Sequence, residues 1–402
     1  MPFMKLGRYL EVLRLPGVVR VAAFATIGRL PFAIVPLSIV LLMREEGYHY
    51  GQIGAVVGAE SLAVGVTAGF VGRLVDRVGR THVILVTGAT TALVLCAGTL
   101  AILSGGPVWL LVALAALQGA TIPPISASMR SLWARLVPEE TLETAYAFDA
   151  IQLELVFVIG PLIAASLATT ISPAAGLLLC AGFYLVAATG FATAPAARAV
   201  APEEHVERTR AGALRSAGMR TLVLVGTITA ISFGALEVAL TAFAEAEGSR
   251  AAVGPLVTVW AIGSVIGGLW YGGRSWSSPI EKRFLALMAL LALGAAPLPF
   301  APSIGAMGVL LVLTGFALAP LATTEYSLVA KLAPLGTATE AYSWQIVANV
   351  MGAAAGSLIA GLLAEEASVE WALATAGIAC TAGFLLALAG RRSLRPAAVA
   401  ET

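Results

Sequence analysis

Along the 402 residues, apolar positions fall in continuous runs, not in the two-residue alternation of a half-buried strand or the narrow stripe of a surface helix. A helix needs about 20 mostly apolar residues to cross the hydrocarbon core of a bilayer. Twelve such runs lie between stretches of charge: Val21 to Met43, Gly51 to Val71, His82 to Leu103, Pro107 to Ser128, Ala145 to Thr169, Ser172 to Thr193, Thr221 to Phe243, Ala251 to Gly272, Phe284 to Phe300, Ile304 to Leu328, Tyr342 to Ala364 and Val369 to Gly390. Their continuity argues against a β-barrel, and 42 glycines with abundant alanine supply the small residues that let membrane helices approach closely. The pattern predicts an all-α, multi-pass membrane protein.

Composition agrees. The chain is 59% hydrophobic and 12% charged, against about 25% charged in soluble domains. The net charge of +1 gives no basis for a nucleic-acid role. The placement of the charges says more. With Lys5, Arg8, Arg14 and Arg20 assigned to the cytoplasm, only Arg44 and Arg250 fall outside and Arg29 lies within a span, leaving 21 of the 24 Lys and Arg inside. That asymmetry satisfies the positive-inside rule for an even number of spans with both termini cytoplasmic. It predicts a protein of the cell (plasma) membrane. Cys96, Cys180 and Cys380 sit in apolar spans at unrelated spacings, so neither a disulfide framework nor a metal cluster is expected. The first apolar run is too long for a cleavable signal peptide and should remain a span.

The longest hydrophilic stretch, Pro195 to Arg220, divides the spans six and six. Three parts follow: an N-terminal half over 1–194, a cytoplasmic linker over 195–220 and a C-terminal half over 221–402. The halves resemble one another at an offset of 196 residues. Ser131-Leu-Trp-Ala-Arg-Leu-Val-Pro138 matches Ser327-Leu-Val-Ala-Lys-Leu-Ala-Pro334, Tyr146 matches Tyr342, and Gly119, Pro124 and Gly160 meet Gly315, Pro320 and Gly356. Duplicated six-helix bundles with a substrate cavity near the midplane are a transporter architecture that works by rocking.

Between spans two and three lies Gly72-Arg-Leu-Val-Asp76-Arg77-Val-Gly79-Arg80, read as a short cytoplasmic turn. Gly72 and Gly79 permit tight turning and close approach, and Asp76 can accept from an arginine or cap a helix. This segment resembles the signature loop of the major facilitator superfamily, in which it acts as a latch. Arg130 is the candidate partner of Asp76, an ordinary membrane anchor being the alternative. The corresponding second loop, Gly272-Gly-Arg274-Ser-Trp-Ser-Ser-Pro279, lacks the acid. Gly160-Pro161 in span five resembles the proline motif of twelve-span drug/proton antiporters, where a proline kinks a helix and frees a carbonyl. Gln118-Gly119 in span four departs from that pattern, with Ala115 where those antiporters often carry arginine.

An ionisable side chain inside a span costs about 2.5 to 3.5 kcal/mol on insertion scales and usually meets a partner or a wet cavity. Arg29, Glu60 and Glu154 lie at depths that allow one buried cluster. Arginine keeps its charge while a buried carboxylate can be neutralised, so Glu60 or Glu154 can carry protons with Arg29 setting their affinity. Permanent structural pairing and direct substrate contact remain the alternatives. In the second half Glu237 is deep in span seven, a candidate for a cationic substrate or a proton. Gln118, Ser232, Phe233, Tyr326, Gln345 and Asn349 join it as candidates to line a cavity of mixed character. Asp149 and Glu325, near cytoplasmic ends of spans, read as interfacial.

No phosphate-binding glycine loop, metal-ligand set or helical His pair with Glu is present, so no cofactor or metal is expected, and transport, not enzymatic chemistry, is. The resemblance implies a monomeric secondary transporter in membrane lipid, exchanging protons for small amphipathic compounds. A sugar, amino-acid or other metabolite transporter, and a transporter-like receptor that moves nothing, are the alternatives.

Overall fold

The computed structural model describes residues 6–198 and 212–395; Lys5 and positions 199–211 of the expected linker lie outside the described residues. Among the described residues there is no strand. Twelve helices are long and apolar enough to cross a membrane: α1 Val18–Glu45, α2 Tyr50–Val78, α3 Arg80–Leu103, α4 Val108–Leu136, α5 Glu139–Thr170, α6 Pro173–Thr193, α7 Ala217–Ala246, α8 Val253–Gly272, α9 Ile280–Phe300, α10 Ile304–Leu332, α11 Ala338–Glu366 and α12 Val369–Ala389. The expected all-α, twelve-span fold is the observed one.

Local chemistry sets the ends and breaks. Ser216, Ser303 and Ser368 accept from the backbone N–H of Met219, Ala306 and Trp371, capping α7, α10 and α12. Pro123 and Pro124 divide α4 into Val108–Thr121 and Ile125–Leu136, since neither ring nitrogen can donate along the helix. The expected turn at Gly72 is instead helix. Residues 72–78 extend α2 by nearly two turns, and the chain turns only at Gly79, whose φ of 104° disfavours any side chain. The charges at Asp76 and Arg77 marked a polar surface, not a break in the backbone.

The helices form two compact units. Among the described residues, one comprises 13–136 and 152–198, and therefore α1 to α4, the later part of α5, and α6. Its core gathers Ile34, Leu42, Val56, Leu95, Leu177 and Tyr184. The other comprises 6–12, 137–151 and 212–395. It thus holds α7 to α12 together with the first turns of α5 and most of a short helix, Leu6–Arg14, whose Tyr9 packs with Ala147 and Ile151.

The internal repeat is visible in how helices cross. A Cβ on Gly119 of α4 would collide with the Glu60 carbonyl of α2, and a Cβ on Gly315 of α10 would collide with the Trp260 carbonyl of α8. Likewise Gly160 of α5 sits against Ala33 of α1, and Gly356 of α11 against Ile231 of α7. Matched glycines make matched contacts, each bringing two backbones closer than a methyl group allows.

Candidate functional site

The α2–α4 crossing places a charge where the apolar pattern leaves no room for one. Because Gly119 has no side chain, α4 presses against the Glu60 backbone, and the preceding residue, Gln118, reaches the Glu60 carboxylate. Gln118 Nε2 donates to Glu60 Oε1 at 3.0 Å. Both side chains are buried, at 3% and 8% exposure. Glu60 Oε2 is buried and has no hydrogen-bond partner. The carboxyl therefore rests on one neutral donor with half of its acceptor capacity unspent, an arrangement costly for an ion in a low-dielectric interior.

The expected cluster of Arg29, Glu60 and Glu154 is not formed around Glu60. Arg29, fully buried, donates from Nε to Ser126 Oγ at 3.2 Å. Gln118 precedes the Pro123–Pro124 break of α4 and Ser126 follows it, so the two charged groups are anchored to different segments of that helix. Glu154 is half-buried on α5. Two residues earlier, Gln152 Nε2 donates to Thr26 Oγ1 of α1 at 2.7 Å, and one turn and a half later Gly160 meets Ala33. Pro161 follows inside an uninterrupted α5. In the Gly72 to Arg80 segment, Arg80 donates to Ser131 Oγ of α4 and to the Ala197 carbonyl beyond α6. Arg130 beside Ser131 is buried, Asp76 is half-buried and Arg77 is exposed.

In the unit built on α7 to α12, the repeat mates Tyr146 and Tyr342 meet directly, their hydroxyls 2.7 Å apart. Tyr342 also reaches the Tyr326 carbonyl at 3.0 Å, and the three rings pack with centroids 6.1 to 6.4 Å apart. Tyr326 is thus part of a buried aromatic cluster. Ser232 is also buried and donates to the Thr229 carbonyl of its own helix. Glu237 and Asn349 are exposed on α7 and α11. Phe233, one turn before Glu237, pairs with Trp260 at 6.1 Å. Gln345 is buried with both amide atoms lacking a partner. Glu325 is half-buried, its Oε1 lying 3.2 Å from where a Cβ on Gly226 would stand.

Asp149 corrects the sequence reading. It is fully buried, because α5 begins at Glu139 and not near Ala145, which puts Asp149 almost three turns inside the helix. The early start also presents Glu143, which sequence reasoning passed over. Arg283 at the start of α9 grips it with two bonds of 2.6 and 2.7 Å and donates to Tyr271 Oη at 2.5 Å. Arg283 lies just beyond the second loop, at the start of α9, and finds its acid on α5. Thr144 donates to the Gly272 carbonyl and Tyr9 to the Gly268 carbonyl, both at the same α8–α9 corner. Burial pushes the Tyr9 phenol above its ordinary range, so it stays a donor. The Glu143–Arg283 pair is partly buried and bidentate, and Arg283→Ala should cost about 2 kcal/mol. Exchange of the two, Glu143→Arg with Arg283→Glu, should recover part of that loss in denaturant unfolding of the purified protein.

Twelve crossing helices, an internal repeat and buried polar groups at helix crossings define a multi-pass protein of the transporter class. The family model of the Major Facilitator Superfamily matches residues 21–275 and 222–401, and the chain belongs to that family. Among solved structures it is similar to the human organic anion transporter TETRAN, with a TM-score of 0.74 and 18% identity over 92% of this chain and 99% of that one. A bacterial homologue of the iron transporter ferroportin in an outward-facing state gives a TM-score of 0.75 at 15% identity, over 92% and 98%. A variant of the E. coli fucose:proton symporter FucP gives 0.74 at 14%, over 93% and 99%. Curated protein sequences give no match.

Proposed function

We propose that this protein is a secondary active transporter working by alternating access, coupled to protons through Glu60, and that it exports small amphipathic compounds across the plasma membrane with both termini in the cytoplasm. One observation supports the proton role above the others. Glu60 is buried on a single neutral amide with an unspent oxygen, while the matching crossing in the second half does without any such pair. There Trp260 and Thr314 occupy the corresponding places, and Thr314 donates to its own helix at the Leu310 carbonyl. Packing of the repeat does not need a carboxylate; its presence in one half alone is the mark of a task other than folding.

Glu237, exposed on α7 beside the Phe233–Trp260 pair, supports a cationic, partly aromatic substrate. A charge in mid-span is poorly tolerated by lipid and well placed facing water. The Asp76 segment and the Glu143–Arg283 pair serve in this reading as latches that must open during the cycle. The solved relatives are named for an organic anion, iron and fucose with a proton, so the test spans those classes. Purified protein in liposomes is supplied with lipophilic cations, organic anions, sugars and amino acids while internal pH is followed. Lipophilic cations should drive proton movement against their own flux. Proton movement with sugars or amino acids only would replace efflux by metabolite transport, and none with any class would remove proton coupling.

A further inference from the structure

The partner of a proton-carrying group must suit both of its protonation states, and among the described residues Gln118 is the one side chain bonded to Glu60. The α2–α4 crossing contains no second carboxylate and no cation bonded to Glu60 among the described residues; the other ionisable groups within electrostatic reach are Cys180 and Tyr184 of α6. A metal ion would need several oxygen ligands, and no such group of acids occurs among the described residues. An arginine or lysine in the place of Gln118 would serve only the ionised acid. A primary amide has a donor at one end and an acceptor at the other, interchanged by a half-turn of its terminal torsion.

Resting on the proton-carrying reading of Glu60, we infer that Gln118 is its positioning residue and reverses its amide when Glu60 takes up a proton. With Glu60 ionised, Gln118 Nε2 donates to Oε1, as observed at 3.0 Å. When a proton binds, one O–H bond forms and no other covalent bond changes. Were the proton to sit on Oε2, its O–H would be a buried donor without an acceptor, which is costly. On Oε1, the O–H donates to the Gln118 carbonyl once the amide has turned. The crossing then keeps one hydrogen bond in either state, and protonation removes charge from the span without loosening α2 from α4. Gly119 holds the two groups at that range, since it lets α4 lie against the Glu60 backbone.

The test is infrared difference spectroscopy of the purified full-length protein in lipid nanodiscs across a pH titration, with glutamine side chains isotopically labelled. The protonated-carboxyl band of Glu60, identified by its loss in Glu60→Gln, should rise in step with a change in one glutamine amide band. Both the amide change and the low frequency of the carboxyl band should disappear in Gln118→Thr. Threonine is the residue that α10 accommodates at the matching position, so the crossing retains its packing; Gln118→Asn, an amide one methylene shorter, is the second variant should the first fail to fold. A Glu60 band that titrates with the same frequency in either variant overturns the assignment to Gln118 while leaving Glu60 as proton carrier. Absence of any Glu60 band in the unaltered protein overturns the proton-carrying reading itself.

Discussion

Glu60→Gln is expected to abolish substrate-driven proton movement in liposomes while the protein folds, inserts and purifies as before. The substitution replaces one oxygen by an amino group of the same size. Its remaining oxygen still accepts from Gln118 Nε2, the one hydrogen bond the site makes. The new amino group stands where the buried Oε2 has no partner, an unsatisfied donor that costs about 1 to 3 kcal/mol, offset in part by removal of the buried charge of the ionised form, so stability should fall by no more than about 3 kcal/mol. What is lost is the site for the proton. Glu154→Gln, on the half-buried face of α5, is the comparison: coupling retained there and lost at Glu60 assigns the proton to the α2–α4 crossing. Coupling that survives Glu60→Gln would move the search to Glu237, Glu325 or Asp149 in the other unit.

The second large effect concerns folding. Gly119→Leu and Gly315→Leu should each destabilise their unit by about 3 kcal/mol or more, because in both the new side chain would have to occupy the position of a carbonyl oxygen on the facing helix. Flexible side chains can move aside; a carbonyl committed to a helix cannot move without displacing the whole helix. Loss of the monodisperse species in size-exclusion chromatography is the expected observation. The milder pair, Gly119→Ala and Gly315→Ala, separates packing from chemistry. Both should lower the unfolding midpoint, but only Gly119→Ala should also reduce proton movement per folded molecule, since only it draws Gln118 away from Glu60. Equal loss of proton movement in the two would mean that the crossings act through rigidity alone.

Much of the fold was legible along the chain because lipid imposes a simple rule: each span must be apolar for about 20 residues and satisfy its backbone internally. That rule locates the twelve helices, and the offset of 196 residues relates Gly119 to Gly315 and Tyr146 to Tyr342 before any coordinates are known. It fails at helix ends. Asp76 and Arg77 looked like a turn and the apolar run of span five began only at Ala145, yet 72–78 and Glu139 to Thr144 are helical, since charged residues beyond an apolar run neither favour nor forbid continuation of a helix. Asp149 and Glu143 were misplaced or missed for that reason alone.

By itself, the sequence determined the solvent, the number of crossings, the duplication and the set of charges that required explanation, all of which follow from the local cost of placing polar groups in hydrocarbon. Only the tertiary structure decided which of those charges meet. Arg29 went to Ser126, Glu60 to Gln118, Ser232 to its own backbone and Arg283 to Glu143. Pairing depends on the rotation and level of one helix against another, and those are set by small residues such as Gly119 at the crossings, over distances that no period along a single helix encodes.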